Sequence, residues 1–563
     1  MKLLTPFFFK AIFIFFIAAN SFAQIPEWLW AKQSGNAGYT KGSSITKDSS
    51  GNMYIVGNFN ISISFGSDTA FSLPKPANDN SHDIFIAKFN SDGNNLWTKS
   101  QGGTGNLYEF DIIRSAADKN GNLYISGTFS GDSITFGTYT LYGVRNYQEI
   151  FIVKYNSEGN VLWARSAGGK SDDDITSIAT DNDGNVFLGG YFRSDSIKFG
   201  AKTLTRSSSA STYQPSFFIA KYDPEGNVLW ANSAIANGSM VNSIVTDRQG
   251  NLYIFGNFSG AYLKLNTEIS LTAKSGNNYN LFLAKYDGNG NVLWGRAFLS
   301  DGYSYSNIVT IDNYNNTIYL VGKHAKPVTF DTVTLGVNTF MYIVKYDLNG
   351  NMIWAKTDTE ATGNCTALVT DNSGNVYMAG DYITQITFGD TTLYNYGAAD
   401  IFLAKYDRNG NAQWARSMGG IKEDVCNGIV LNKDNSLYIL GTFSSPELYI
   451  ESTVLKNYDS TLSTSWDIIF AKLGSISTGI SDESKGQDFP AVFPNPTHGS
   501  FKVSVPEGNW HIRVYSLEGV AVYNTNITGS EIKIDLSAQP KGIYIYQLQK
   551  DNKIVKTGKL ILE

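Results

Sequence analysis

A pattern that recurs around tryptophan constrains the fold of this chain more than any other feature of the sequence. Seven tryptophans in similar contexts follow one another at intervals of 60 to 67 residues: Trp30, Trp97, Trp163, Trp230, Trp294, Trp354 and Trp414. A short apolar segment that ends in Lys and then Tyr, Phe or Leu precedes six of them and occurs once more at residues 468–473. Repeats of this length are typical of folds in which similar units are stacked or arranged around an axis.

Each repeat unit is predicted to form four β-strands. Segments such as 175–180, 185–192 and 217–222 are rich in the β-branched and aromatic residues that favour strands. They are joined by Asp-x-x-Gly-Asn turns, in which Asp accepts backbone hydrogen bonds and Gly adopts a positive φ. A further segment, as at 134–141 or 386–393, predicts a short hairpin between the second and third strands. The unit is therefore an antiparallel meander with an added hairpin.

Seven such units predict an all-β fold whose main domain, residues 24–473, is a seven-bladed β-propeller. The last unit ends at residue 473 without its tryptophan strand, whereas residues 28–34 form a tryptophan strand with no unit before it. We expect this N-terminal strand to complete the seventh blade, which closes the ring and leaves no free sheet edge.

The units resemble the SBBP type of seven-bladed propeller repeat found in exported bacterial proteins. The resemblance rests on the patterns D-x-x-G-N-x-Y-[IV]-x-G-x-F and [FIL]-[IVL]-[AV]-K-Y-[DN]-x-x-G-N-x-x-W-A, and it covers residues 28–473. It implies the propeller fold and says little about activity, because one fold of this kind hosts many functions.

The N-terminus predicts export. Lys2 precedes an apolar run at residues 7–19 and Lys10 lies within it, and small residues follow at the positions that a signal peptidase reads. We therefore expect residues 1–23 to be a signal peptide that is cleaved between Ala23 and Gln24. The alternative is a membrane anchor, but the run is shorter than the roughly 20 apolar residues of a spanning helix, and no later segment is long enough.

The C-terminal part of the chain predicts a second domain. Residues 474–488 are rich in Ser, Gly and acidic residues, as flexible linkers are. Residues 489–563 then alternate apolar and polar side chains in short runs, which predicts a small β-sandwich.

This second domain resembles the type A C-terminal sorting domain of type IX secretion. The motif residues that carry the resemblance are Pro494, Asn495, Pro496, Gly499, Gly542, Tyr544, Gly558 and Lys559. The resemblance implies that a type IX translocon and a sortase-like protease recognise residues 489–563 in a Bacteroidetes-like bacterium. The protein would then be secreted, or attached to the outer-membrane surface, after Sec export and type IX secretion. The alternative is a carbohydrate-binding or immunoglobulin-like accessory domain.

Charge and motif content narrow the classes of function. The 44 basic and 50 acidic residues leave a net charge of −6, so a nucleic-acid partner is not expected. Two Cys and four scattered His provide no zinc site, and no hydrolase or nucleotide-binding motif occurs in the repeats. No cofactor is expected. Calcium is the one metal that the repeated turn aspartates suggest, although turn geometry alone explains them.

Candidate ligand-binding residues lie in the loops that differ between units. In an up-and-down blade, the unit-to-unit loops and the connections between second and third strands share one face, which we call the variable face. Binding residues are concentrated in such loops. The candidates on this face are Tyr108, Asp111, Asp172, Asp173, Asp174, Tyr303, Tyr305, Glu423 and Asp424. The alternative to a binding site is that these residues form a solvated acidic rim.

Two cysteines occupy equivalent positions in neighbouring units. Cys365 and Cys426 each lie six residues before the turn that follows the first strand. An exported protein permits disulfides, so we expect a bond between them if the neighbouring strands bring their Cα atoms within about 7 Å. Two buried thiols are the alternative.

Three functions fit these observations. The leading hypothesis is a secreted or surface-displayed binding or adhesion protein, without catalytic activity, that recognises a glycan or a protein through the variable face. The second is a polysaccharide lyase or hydrolase that uses Asp, Glu and Tyr in the propeller funnel. The third is a structural spacer in a surface layer or gliding apparatus.

Overall fold

The structure is a computed structural model that forms two compact units, Met1–Ile476 and Ser477–Glu563. We call the first the repeat region. The structure describes residues 26–35, 38–73, 81–102, 113–144, 147–207, 214–273, 280–300, 302, 304–336, 341–358, 363–451, 453–458, 465–474, 491–493, 497–505, 508–516, 520–550 and 553–562. The regular secondary structure of these residues consists of β-strands. The predicted signal peptide and most of the predicted linker lie outside the described residues.

The strands of the repeat region follow the predicted order, with four long strands and a short hairpin in each unit. The first two units and the N-terminal strand comprise β1 (Trp28–Gln33), β2 (Thr40–Lys47), β3 (Met53–Phe59), β4 (Ser62–Phe65), β5 (Asp68–Phe71), β6 (Asp83–Phe89), β7 (Asn95–Gln101), β8 (Arg114–Ala117), β9 (Leu123–Phe129), β10 (Ser133–Phe136), β11 (Tyr139–Tyr142), β12 (Glu149–Tyr155) and β13 (Val161–Gly168). The next two units comprise β14 (Asp173–Thr180), β15 (Val186–Phe192), β16 (Ser196–Phe199), β17 (Lys202–Thr205), β18 (Ser216–Tyr222), β19 (Val228–Asn232), β20 (Gly238–Thr246), β21 (Leu252–Ser259), β22 (Tyr262–Lys264), β23 (Ser270–Thr272), β24 (Asn280–Tyr286) and β25 (Val292–Ser300).

The remaining units of the repeat region have the same composition. They comprise β26 (Ser304–Asp312), β27 (Thr317–His324), β28 (Val328–Phe330), β29 (Val333–Leu335), β30 (Met341–Asp347), β31 (Met352–Asp358), β32 (Gly363–Thr370), β33 (Val376–Tyr382), β34 (Gln385–Phe388), β35 (Thr391–Tyr394), β36 (Asp400–Tyr406), β37 (Ala412–Met418), β38 (Asp424–Leu431), β39 (Leu437–Phe443), β40 (Glu447–Ile450), β41 (Thr453–Lys456) and β42 (Asp467–Leu473).

The long strands of each unit form an antiparallel meander. In the described part of the chain, the hydrogen-bonded orders are β2-β3-β6-β7, β8-β9-β12-β13, β14-β15-β18-β19, β20-β21-β24-β25, β26-β27-β30-β31, β32-β33-β36-β37 and β38-β39-β42-β1. The added hairpins reach the end of the preceding sheet, as when β16 pairs with β13 and β28 pairs with β25. The predicted meanders and added hairpins are confirmed, and the fold is all-β with repeated, propeller-like sheets.

The first strands of the sheets lie beside one another. β2 contacts β8, and the contacts continue through β14, β20, β26, β32 and β38, which lies beside β2. Polar side chains bridge these strands, since Arg114 Nε donates to Thr176 O at 2.7 Å and Thr176 Oγ1 donates to Val241 O at 2.6 Å. The first strand of the first sheet also contacts the second strand of the last sheet, β39, where Gly42 N donates to Thr442 Oγ1 at 3.1 Å.

The N-terminal strand pairs with the last strand of the repeat region. In the antiparallel pairing of β1 with β42, Trp30 lies opposite Lys472 and Gln33 lies opposite Ile469. Phe470, on β42, also packs against Phe89 of the first sheet, with ring centroids 4.9 Å apart. The predicted pairing of the N-terminal strand is therefore observed.

The turns explain why Asp, Gly and Asn recur in the sequence. Asp48 Oδ1 accepts the backbone N–H groups of Ser50 and Asn52, and Asn52 Nδ2 donates to Asp48 Oδ2 at 2.8 Å. Gly51 has a φ of 85°, which glycine adopts without a steric penalty. The same network is present at Asp118, Asp181, Asp223, Asp247, Asp287, Asp347, Asp371 and Asp407. These carboxylates stabilise hairpin turns.

A repeated contact, which we call the latch, joins neighbouring sheets. Lys88 Nζ and Trp97 Nε1 both donate to Ser157 O in the next unit, at 3.0 and 3.3 Å. Gly159, two residues further, is close to the Trp97 ring, since a Cβ at this glycine would lie 2.8 Å from it. Lys88 also lies 4.9 Å from the centroid of Tyr54. In three other units, the equivalent Lys and Trp side chains also share one acceptor, which is the backbone carbonyl oxygen of Pro224, Gly288 or Arg408.

The C-terminal unit contains two antiparallel sheets that share a hydrophobic core. Its strands are β43 (Ala491–Phe493), β44 (Ser500–Ser504), β45 (Trp510–Ser516), β46 (Ala521–Ile527), β47 (Glu531–Asp535), β48 (Gly542–Lys550) and β49 (Lys553–Leu562). The sheet orders are β43-β44-β47 and β46-β45-β48-β49, and Phe501, Ile512, Ile534 and Leu548 belong to one buried cluster. This arrangement agrees with the predicted small β-sandwich.

Candidate functional site

The structure describes some of the predicted variable-face residues and not others. Tyr108, Asp111 and Tyr303 lie outside the described residues. Tyr305 lies on β26 opposite Lys323 of β27, and the described part of the structure does not include its side chain. The positions of Asp172, Asp173, Asp174, Glu423 and Asp424 are described, and their surroundings separate them into buried and accessible groups.

Asp173 and Asp424 are buried and hold loops in place. Asp173 Oδ2 accepts a hydrogen bond from Ser194 Oγ at 2.8 Å, and its Oδ1 accepts the N–H groups of Arg193 and Ser194. Asp424 Oδ2 likewise accepts from Ser445 Oγ at 2.8 Å. Both side chains have no accessible surface, and burial raises the pKa of each carboxyl to about 6. These two candidates therefore support the loops rather than face a ligand.

Each of these aspartates has a second buried carboxyl beside it. Burial, together with the charge of Asp173, raises the pKa of Glu149 to about 7. Burial and the charge of Asp424 raise the pKa of Asp400 to about 7 in the same way. The two pairs occupy equivalent junctions between units, where the third strand of one sheet begins beside the first strand of the next.

Asp174 forms a half-buried cluster with residues of its own and the preceding unit. Tyr191 OH donates to Asp174 Oδ2 at 3.1 Å, and the Arg193 guanidinium carbon lies 5.0 Å from the centroid of the Tyr191 ring. Burial raises the pKa of Asp174, although the Tyr191 hydrogen bond and the charges of Arg114 and Arg193 oppose that shift. The cluster combines an aromatic ring, a hydroxyl and opposite charges on the variable face.

A second cluster contains Lys323, Asp381 and Glu423. Burial raises the pKa of Asp381 to about 6, while the charge of Lys323 acts against this rise and that of Glu423 adds to it. Burial lowers the pKa of Lys323. Glu423 itself is exposed. Its backbone forms a bridge with Ala399 at the junction between units, so the cluster extends to the loops of the variable face.

Sequence reasoning missed Arg114, Tyr191, Arg193, Lys323 and Asp381. The last residues of the second strand follow a Gly-x-aromatic pattern in most units, with His324 in place of the aromatic residue in one of them. The middle position of that pattern varies more than the positions on either side of it. It is occupied by Asn58, Thr128, Tyr191, Asn257, Lys323, Asp381 and Thr442. Comparing the units position by position therefore offered a signal for three of the missed residues.

The carboxylates of the turn aspartates, which the sequence suggested as calcium ligands, accept hydrogen bonds from residues of their own turns. Their oxygens accept backbone and Asn N–H groups, as described for Asp48. Within the described residues there is no group of three or more His, Cys, Asp or Glu side chains that could hold a metal ion.

The structure holds Cys365 and Cys426 as thiols, so the predicted disulfide is absent from it. Each cysteine precedes a β-bulge on the first strand of its unit, and both thiols lie near backbone carbonyl groups. Cys365 Sγ donates to Ala367 O at 3.4 Å, and Cys426 Sγ lies 3.8 Å from Leu440 O on β39 and 4.0 Å from Gly428 O. Burial raises the pKa of Cys365 and raises that of Cys426 to about 12.

A groove of about 880 Å³ lies between β1, the hairpin of β4 and β5, and the start of β7. Asn95 begins β7, whereas Val161, Val228 and Ala412 begin the equivalent strands elsewhere. A Cβ at Gly137, Gly200 or Gly389 would meet these apolar residues, but a Cβ at Gly66 would meet no atom within 4 Å. The hairpin of the first unit is thus less closely packed on its sheet than the hairpins of the second, third and sixth units.

In the part of the chain that the structure describes, no helix has the length and apolar character needed to cross a membrane.

The chain is similar to known proteins at low sequence identity. A WD repeat-containing protein, L264, of Acanthamoeba polyphaga mimivirus is 25% identical over 435 residues, which are 61% of this chain and 31% of that protein. The chain thus spans about a third of the length of this relative. PorZ, a surface component of the type IX secretion system of Porphyromonas gingivalis, is 14% identical, with 92% of this chain and 70% of that chain covered and a TM-score of 0.31. A protein of unknown function from Dyadobacter fermentans is 7% identical, with 80% of this chain and 98% of that chain covered and a TM-score of 0.37.

The C-terminal unit matches a family. Residues 491–563 match the model of the secretion system C-terminal sorting domain. The match includes all the motif positions named above. Gly499, one of them, has a φ of 121°, and Tyr544 OH donates to Pro540 O at 2.7 Å. Pro494, Asn495 and Pro496 lie outside the described residues. The C-terminal unit is therefore a secretion-system sorting domain, and the protein is one that type IX secretion delivers to the cell surface or releases.

Proposed function

We propose that the repeat region is a closed seven-bladed β-propeller that works as a binding module outside the cell, and that its variable face recognises a glycan or a protein. The observation that carries this proposal is the variable position of the second strands. Tyr191, Lys323 and Asp381 occupy it in a motif that is otherwise nearly uniform. Packing requires the uniform residues, whereas a change of charge and shape at one position per unit suits ligand recognition.

Closure is supported at the junction of the last and first sheets. β1 completes the sheet of β38, β39 and β42, and Trp30 lies over Gly93, whose Cβ would come within 2.4 Å of the ring. Lys472 donates to Ser91 O as the equivalent lysines do at the other latches. The pairing of β1 with β42 covers an edge of the last sheet that would otherwise be unpaired, and unpaired edges favour association with other chains.

The two faces differ in what they offer a ligand. The turns between first and second strands and between third and fourth strands are built alike, and their Asp oxygens accept hydrogen bonds from the chain. The variable face instead carries Asp174 with Tyr191, and Asp381 with Lys323 and Glu423. Carboxylates, a hydroxyl and cations of this kind can bind polar groups of a glycan or protein.

The proposal also assigns a role to the parts of the chain outside the propeller. Residues 1–23 would be removed as a signal peptide, with Ala23 and Gln24 at the cleavage site. Residues 474–488 would link the propeller, residues 24–473, to the sorting domain. The translocon and a sortase-like protease would then recognise residues 489–563.

The test is binding by the purified full chain to arrays of polysaccharides and of surface proteins, with variants on both faces. Asp174→Asn and Asp381→Asn should each weaken binding to the ligand found at least fivefold. Asp92→Asn, in an exposed turn of the opposite face, is the matched control and should bind as the unchanged protein does. Equal binding by all three variants, or no binding to either array, would refute the proposal.

A polysaccharide lyase or hydrolase is the second candidate, favoured by the neighbouring Lys323 and Asp381. A carboxyl group whose pKa is about 6 beside a cation resembles the acid and base groups of such enzymes. Analysis of the array wells for released oligosaccharides distinguishes the two functions. Products that disappear with Asp381→Asn would establish the enzyme, whereas saturable binding without products supports the binding module.

A further inference from the structure

An exposed aromatic and aliphatic surface lies at the junction between the last two units. We call it the tyrosine platform, and it consists of Ile383, Tyr394, Tyr396 and Ile421. Tyr394 and Tyr396 are each 67% exposed, Ile421 is 68% exposed and Ile383 is 54% exposed. Large apolar side chains grouped at this exposure mark interaction sites more often than they serve stability.

The loop that presents the tyrosines is held rigidly. Tyr396 N donates to the buried Asp400 Oδ2 at 2.6 Å. Asn395 Nδ2 donates to Gly397 O at 2.6 Å and also bonds Ile383 O, and Asn395 N donates to Thr384 O at 3.1 Å. The loop is therefore fixed before any ligand binds, which reduces the entropy lost on binding.

The platform joins two segments from different units. A Cβ at Gly397 would lie 2.4 Å from the carbonyl carbon of Ile421, so the two backbones are in direct contact and only glycine fits there. Two residues further along each segment, Ala399 bridges Glu423, and Asp424 N donates to Ala399 O at 2.8 Å. Tyr396 and Ile421 are thus fixed on adjacent loops.

The same contacts connect the platform to the polar cluster of the variable face. The backbone of Glu423 bridges Ala399, and the charges of Glu423 and Lys323 both influence the pKa of Asp381, in opposite directions. Lys422 lies between Ile421 and Glu423, and its N–H donates to Ser445 Oγ at 2.9 Å. The exposed aromatic rings are therefore adjoined by Glu423 at this junction, and Asp381 and Lys323 follow at the ends of the second strands of the sixth and fifth units.

The charges of this surface balance. Lys323 and Lys422 carry two positive charges, and Asp381 and Glu423 carry two negative charges when ionised. A balanced surface offers no net field to a polyanion or polycation. Carboxylates accept hydrogen bonds from hydroxyl groups, and the apolar faces of tyrosine rings pack on C–H groups. A sugar chain presents both kinds of group.

We propose that the tyrosine platform and the adjoining Glu423 bind an uncharged polysaccharide, with Tyr394 and Tyr396 packed against the sugar rings. This inference rests on the proposed binding function and assigns the ligand class and the surface. Tyr394 and Tyr396 supply contact area, and the Asp400 contact with the Tyr396 backbone positions the loop.

The experiment measures binding of the full chain to soluble mannan, xylan and laminarin, with polygalacturonate as the anionic comparison. The double variant Tyr394→Ala/Tyr396→Ala should bind the preferred neutral polymer at least tenfold more weakly. Tyr142→Ala is the matched control, because Tyr142 ends β11 as Tyr394 ends β35 and is 77% exposed. The control should bind with unchanged affinity, and all variants should unfold at the same urea concentration.

Three outcomes overturn the inference. They are unchanged binding by the double variant, binding of polygalacturonate in preference to the neutral polymers, and binding to a protein but to none of the polysaccharides. If Asp174→Asn weakens binding while the double variant does not, the proposed binding function stands and only the assignment to the tyrosine platform fails. If no variant on the variable face changes binding, both fail.

Discussion

Lys472, on the last strand of the repeat region, donates a hydrogen bond of 3.1 Å to the backbone carbonyl of Ser91 in the first sheet. The two residues are 381 positions apart in the sequence. Lys88, Lys154 and Lys221 each make the same contact with the sheet that follows their own. The fold therefore joins its two ends with the contact that it uses between consecutive units.

A single methyl group added at Gly159, the glycine of the latch, should lower the stability of the protein. In Gly159→Ala, the new Cβ would lie 2.8 Å from the Trp97 ring and the residue would keep a φ of 75°. Gly66→Ala is the matched control, since Gly66 has a φ of 67° and open space around it. Both variants incur the penalty of a positive φ, about 1 to 2 kcal/mol, and Gly159→Ala adds about 1 kcal/mol or more from overpacking. Urea unfolding followed by tryptophan fluorescence measures the difference, and equal midpoints would contradict it.

The buried latch lysine should matter more than a surface lysine. Lys221 Nζ lies 3.3 Å from Asp181 Oδ2, both side chains are nearly inaccessible, and Lys221 also donates to Gly288 O. Lys221→Met leaves the Asp181 charge buried, and we expect a loss of about 3 kcal/mol in the free energy of unfolding. Lys456→Met removes an exposed ion pair with Glu447 and should leave the unfolding midpoint unchanged. A midpoint for Lys221→Met close to that of Lys456→Met would show that the latch is not stabilising.

The buried carboxyl pairs should make stability depend on pH. The folded protein raises the pKa of Asp400 to about 7, above that of an unfolded aspartate, so it binds the proton more tightly than the unfolded chain does. The stability that this proton supplies is present below about pH 4 and is lost as the pH rises through 7. The slope for one proton is at most about 1.4 kcal/mol per pH unit.

Asp400→Asn tests this dependence, because the amide stays neutral and its oxygen can still accept the Tyr396 N–H. The variant should show a flatter stability profile between pH 5 and 8, and its stability should exceed that of the unchanged protein most at pH 8. Asp172→Asn, at an exposed position in an equivalent loop, should leave the profile unchanged. Parallel profiles for Asp400→Asn and the unchanged protein would mean that Asp400 is ionised throughout this range.

The two cysteines should be unreactive until the protein unfolds. Burial raises the pKa of Cys426 to about 12 and also raises that of Cys365, so almost no thiolate exists at pH 8. Ellman's reagent should titrate neither thiol in the native protein and both in guanidinium chloride without a reductant. Absence of both thiols in the denatured protein would instead reveal the disulfide that the sequence predicted.

Removal of the sorting domain should abolish delivery to the cell surface. A chain that ends at residue 474 keeps all the described strands of the repeat region but lacks residues 491–563. We expect it to remain inside the cell envelope, while the full chain is accessible to added protease or appears in the medium. Cell fractionation with protease treatment of intact cells checks this. Equal exposure of the shortened chain would show that the sorting domain is dispensable.

Much of the fold could be predicted because each unit encodes its local structure. The Asp48 network closes within five residues, so a turn can be read from Asp, Gly and Asn without knowledge of the rest of the chain. The latch also leaves a trace, since Lys88 and Trp97 recur at fixed positions in the repeat. The strands, meanders and added hairpins followed from these patterns.

The candidate site was harder to predict because it depends on contacts between distant segments. Asp173 and Asp174 are adjacent in a cluster of aspartates, and the sequence gives no reason to treat them differently. Successive residues of a strand point to opposite faces, so Asp173 is enclosed by Ser194 while Asp174 meets Tyr191. The tyrosine platform was missed for the same reason, since Tyr396 and Ile421 become neighbours only when two units pack.

The sequence by itself determined the all-β repeat, the turn chemistry and the sorting domain, because these depend on interactions among residues near one another in the chain. The tertiary structure alone decided which carboxylates are buried, which aromatic side chains share a surface, and that Cys365 and Cys426 lie as buried thiols near backbone carbonyl groups. Those outcomes depend on the packing of one sheet against the next, where burial and neighbouring charges set the properties of each side chain.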